Sequence, residues 1–67
     1  MSGMDACRIL GENGFAEVRR KGSHIIMQKR DQNGTTTVPV PDHVELCIGT
    51  LRSIIRQSGL SRDLFEK

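Results

Sequence analysis

The run Arg19-Arg20-Lys21-Gly22-Ser23-His24 sets one histidine behind a Gly-Ser turn and three cations ahead of that turn. Imidazole is the side chain type that takes up and returns a proton near neutral pH, and guanidinium or ammonium groups hold phosphate oxygens. Those are the groups needed to cut a phosphodiester that carries its own nucleophile. In RNA the 2′-hydroxyl must be deprotonated, the charge gathering on the phosphate oxygens stabilised, and the leaving 5′-oxygen protonated. His24 is the expected acid or base, and Arg19, Arg20, Lys21 and Lys29 are the cations expected to hold the RNA backbone. Gly22 would let backbone N–H groups approach a phosphate, and Ser23 would add a hydroxyl. His43, which follows Pro41-Asp42, is an alternative second acid or base. Each of these residues also has a structural role open to it: a strand turn for Gly22-Ser23, a sheet hydrogen bond for His24, a solvated face for the cations.

Sixty-seven residues fold as one small domain, expected to span 1–67, without room for a deep closed cavity. An exposed site suits a polymer. The formal net charge of +2 is unevenly spread. Residues 1–30 carry six cations against three acids, and residues 31–67 carry four against five, so the basic end is the end with His24. Phe15 and Phe65 are the sole aromatics, which argues against a stacking platform for bases.

No apolar stretch approaches the roughly 18 residues of a membrane span, and the start lacks the apolar core of a secretory signal, so a cytoplasmic location and no membrane partner are expected. Cys7 and Cys47 are then expected to stay as thiols, each filling a small apolar space. Of Cys7, Cys47, His24 and His43 only the last and Cys47 lie close in sequence, and there is no C-x-x-C pair. Neither a metal nor another cofactor is expected.

The elements that must position these groups follow from periodicity. Met4, Cys7 and Leu10, with Ala6 and Ile9, recur at helical spacing from Met4 to Asn13, and Asn13-Gly14 stops that helix. Three extended segments follow, Phe15 to Arg20, His24 to Arg30 and Thr35 to Val40, joined by Gly22-Ser23 and by Asp31-Gln32-Asn33-Gly34. Alternation puts His24, Ile26, Gln28 and Arg30 on one face and Ile25 and Met27 on the other, though Ile26 leaves open which face meets solvent. Pro39 and Pro41 end the sheet. Thr50 is the expected cap of a second helix with Leu51, Ile54 and Ile55 as its apolar stripe, Arg52 and Arg56 on another face, and Gly59 as its stop. Ser61 to Phe65 reads as a final turn. The order is α-β-β-β-α: an α+β fold in which a three-stranded antiparallel sheet is covered on one side by two helices.

Taken with their residues, these elements resemble the HicA family of bacterial toxins, also called YcfA-like. The likeness rests on Asn13-Gly14-Phe15, on Gly22-Ser23-His24, on Val38-Pro39-Val40-Pro41-Asp42-His43, and on the stretch from Gly49-Thr50-Leu51-Arg52 to Ser58-Gly59-Leu60-Ser61, in that order along almost the whole chain. Cys47 and Ile48 depart from it, standing where many members carry a basic residue and a proline. The resemblance implies a fold like the double-stranded RNA-binding domain and metal-independent endoribonuclease action on mRNA. It also implies His24 as the essential catalytic residue, and neutralisation by a HicB-type antitoxin encoded next to the toxin. Two other classes fit the same residues: a noncatalytic RNA-binding module, and a domain whose only ligand is a protein.

Overall fold

The computed structural model describes residues 1–66; Lys67, the last residue of the expected domain, lies outside the described residues. Helix α1 spans Gly3–Glu12, strands β1, β2 and β3 span Ala16–Lys21, His24–Asp31 and Gly34–Pro41, and helix α2 spans Ile48–Ser58. A 3-10 turn, Arg62–Phe65, follows. The strands form one antiparallel sheet in the order β1-β2-β3, so the α-β-β-β-α reading of the sequence is the observed fold.

α1 starts where Ser2 can cap it. The Ser2 hydroxyl accepts a bond from Asp5 N at 3.0 Å and the Asp5 carboxylate accepts one from Ser2 N at 3.1 Å, a reciprocal box that satisfies two otherwise orphaned donors. Its first residue meets the chain after β3 with no clearance. Gly3 N donates to His43 O at 2.8 Å, and a Cβ at position 3 would lie 2.0 Å from the Pro41 oxygen. Only glycine fits that contact.

The core lies under one face of the sheet. Ile25, Met27, Val38 and Val40 meet Ala6, Ile9 and Leu10 of α1, Ile54 of α2, and Phe15, Leu46 and Phe65. Burying Leu10, Ile25 or Ile54 completely stabilises the fold by about 1.5–3 kcal/mol each, which is large against the few kcal/mol such a small domain has in total. α2 runs back beside β3, because only residues 42–47 separate Pro41 from Ile48, and it sets Ile54 into the core. The helix begins at Ile48 with Cys47 as N-cap, three residues ahead of the expected cap Thr50, and ends at Gly59 in the left-handed region as expected. Cys47 is therefore exposed at a helix start, and Cys7 is half-buried, so neither thiol fills a sealed apolar space.

The face ambiguity left by Ile26 resolves into two distinct sides. Ile25 and Met27 belong to the core; Ile26 is buried on the opposite, open side, between its cross-strand neighbours Arg19 and Pro39. Among the described residues no helix is long and apolar enough to cross a membrane.

Candidate active site

His24 is exposed at the first position of β2, and the turn ahead of it fixes where it stands. Lys21 pairs with His24, which leaves Gly22 and Ser23 as a two-residue hairpin loop. Gly22 has φ +60° while Ser23 does not enter the positive region, the sign pattern of a type II′ turn with glycine first. A Cβ at position 22 would touch nothing, so the demand for glycine there is conformational and the turn stays open to an approaching ligand.

Asp42 fastens this turn from outside. Its N–H donates to Ser23 O at 2.7 Å, and its carboxylate takes a 2.8 Å charged hydrogen bond from Arg20 Nη1. A loop acid thus orients the histidine's strand through the backbone rather than by touching the imidazole.

The register sorts the expected phosphate-holding cations. Lys21 and Arg19 pair with His24 and Ile26 and share their open face; Arg20 pairs with the core residue Ile25 and points to the helix side. There Arg20, Glu17 and Asp42 surround Cys7. Burial pushes the Cys7 thiol up from its ordinary 9.0, Glu17 and Asp42 push the same way, and Arg20 opposes them. Lys29 is also on the helix side, its ammonium 5.9 Å from the centre of the Phe15 ring. Arg30, which the sequence set on His24's face without a role, does remain on the open face, across from Thr35. Among the described residues Arg19, Lys21 and Arg30 take part in no ion pair, whereas Arg8, Arg20 and Arg62 do.

Beside His24 the sheet and α2 enclose an open groove of 390 Å³. His24, Pro39 and Pro41 form its strand wall; Gly49, Thr50, Ser53 and Gln57 form its helix wall, with Ile54 between them. The helix residues recur at intervals of three and four, one stripe of α2. α2 enters the groove with its N-terminal end nearest Pro41, where no side chain caps the first amides, so the backbone adds a partial positive charge near His24.

His43 is not part of this groove. It lies on the segment after β3, exposed, with its carbonyl held by Gly3 N, so the two histidines do not line one site. Arg52 borders a second groove on the far side of α2, against Phe65 and Glu66. Thr50 reads in the sequence only as a cap, and Ser53 and Gln57 carry no role there, because a polar helix stripe ordinarily faces water. The available signal was that their stripe adjoins Ile54, which the core had to claim.

A search among curated proteins gives no match. The family model described as the HicA toxin of bacterial toxin-antitoxin systems matches residues 3–60, which takes in both helices, the whole sheet and every wall of the groove. With that match over most of its length, on the fold its sequence led one to expect, the chain belongs to the HicA toxin family.

Proposed function

We propose that this toxin is a metal-independent endoribonuclease acting on mRNA, with His24 as its general acid or base. The observation that carries this reading is an exposed histidine at the mouth of an open groove, flanked on the same face by Lys21 and Arg19. Cross-strand neighbours stand about 5 Å apart, so a phosphate held by Lys21 is within reach of the imidazole. Lys21 and Arg19 offset the charge that builds on the phosphate oxygens in the transition state. The exposed turn at Gly22-Ser23 lets backbone approach the same phosphate. Arg30 lies six residues along β2, about 20 Å away, and extends the track for the RNA backbone across the open face. General acid–base action of this kind contributes about 10²–10⁴ in rate.

A HicB-type antitoxin neutralises the activity by covering this groove. Its surface presents acidic groups to Arg19 and Lys21 and buries His24. The cytoplasm, where mRNA is found, is the compartment this function requires.

Purified protein incubated with a defined transcript and a chelator tests the proposal. Shortening by the wild type and intact RNA with His24→Ala support it; equal cleavage by both overturns the assignment. Salt-sensitive binding without shortening identifies a noncatalytic RNA-binding module instead.

A further inference from the structure

We propose that the α2 wall of the groove reads one unpaired base next to the cut phosphate, with Gln57, held by Ser53, as the specificity-determining residue. This rests on the nuclease reading of His24 and adds a substrate feature to it.

The groove has two ends. Pro41 is the direct partner of His24, and α2 runs back along β3 from there, so Gly49 and Thr50 stand at the His24 end and Ser53 and Gln57 toward Pro39. Thr50 and Gln57 are seven residues apart, about 10 Å along the helix axis. A phosphate at the His24 end therefore leaves its neighbouring base beside Ser53 and Gln57. The 390 Å³ of the groove is in the range of small-ligand clefts, about 300–1,000 Å³, which admits a nucleotide.

The chemistry on the helix wall suits a base edge. Gln57 Nε2 donates to Ser53 Oγ at 2.8 Å, one turn back on the same stripe, which restricts the amide's orientation. The remaining N–H and the carbonyl oxygen present a donor beside an acceptor. That pair is the one by which glutamine makes two hydrogen bonds to the N6–H and N7 edge of adenine, an edge on which guanine shows acceptors only and which pyrimidines lack. The opposite wall offers the flat apolar rings of Pro39 and Pro41 for the base to lie against. Among the described residues neither Phe15 nor Phe65 lines the groove, so the proline faces and the amide carry the selection.

Cleavage-site mapping on a pool of RNAs randomised around one cut tests this. The wild type should favour adenine at one position adjacent to the cut by at least about fivefold, the lower end of what a two-bond contact discriminates. Gln57→Ala should flatten the preference at that position alone, to about twofold or less, and Ser53→Ala should weaken it in part. Gln57→Glu, which presents acceptors only, should lose the adenine preference as well, because N7 then meets no donor. Gln57 is exposed, and circular dichroism checks that each variant keeps its fold. A Gln57→Ala profile equal to the wild type at every position, in a wild type that cuts and a His24→Ala variant that does not, overturns the inference and leaves the nuclease standing. A wild type that cuts no RNA overturns both.

Discussion

Arg20 Nη1 lies 2.8 Å from Asp42 Oδ2, and this pair sits on the side of the sheet opposite His24. Three consecutive cations in sequence therefore become two on the open face and one used as a brace. Lys21→Ala is expected to weaken RNA binding and to reduce the slope of log affinity against log salt by about 0.7, the value for one contact to a single strand. Arg20→Ala is expected to leave that slope in place and to cost about 0.2–1 kcal/mol of stability, the range of a solvent-screened pair. Fluorescence anisotropy with labelled RNA across a salt series, together with urea unfolding, separates the two.

The turn at Gly22 gives a prediction about handedness. An L-alanine at position 22 must adopt φ near +60° and should destabilise the hairpin by about 1–2 kcal/mol, displacing His24 as well. A D-alanine, introduced by chemical synthesis, favours positive φ, so it should match or exceed the stability of the glycine protein. Thermal melts of the three chains decide the matter.

Gly3 is constrained by packing. A methyl group there meets the Pro41 oxygen, so Gly3→Ala should destabilise by about 1–3 kcal/mol despite alanine's better helix propensity. Because Pro41 is the strand partner of His24, the same variant should lose RNA cleavage along with stability. Urea titration and a cleavage assay read the two effects.

The thiols should separate by reactivity. Cys47 is exposed, whereas the half-buried Cys7 is held protonated by burial and by Glu17 and Asp42, so alkylation near neutral pH should label Cys47 first. A thiol whose pKa rises on folding binds its proton more tightly in the native state. Its contribution to stability is thus complete below the ordinary value of 9.0 and is lost as pH climbs through the raised one. Mass spectrometry of partly alkylated protein and unfolding curves at alkaline pH check both statements.

The sequence showed the element order, the Gly22-Ser23 turn and the glycine stop at Gly59, because each is fixed by a few neighbouring residues. It did not show which cations join His24. That depends on the pairing of Lys21 with His24 and on the irregularity between Glu17 and Arg19, both properties of two strands together. The start of α2 was misplaced because Thr50 is a good cap by type, while the chain entering from Leu46, which is held by Met1 O, begins the helix at Ile48 instead. The groove role of Thr50, Ser53 and Gln57 is illegible for a related reason: a polar helix face reads as solvated until the strand beside it is known.

The role of His24 is tested most directly by the ends of the cut RNA, measured in single-turnover reactions with a chelator present. Attack by the 2′-hydroxyl predicts a 2′,3′-cyclic phosphate and a 5′-hydroxyl, formed at least about 10²-fold more slowly by His24→Ala and not at all when the nucleotide before the cut is 2′-deoxy. Ends of 3′-hydroxyl and 5′-phosphate that require a divalent cation, or an undiminished rate in His24→Ala, would contradict it.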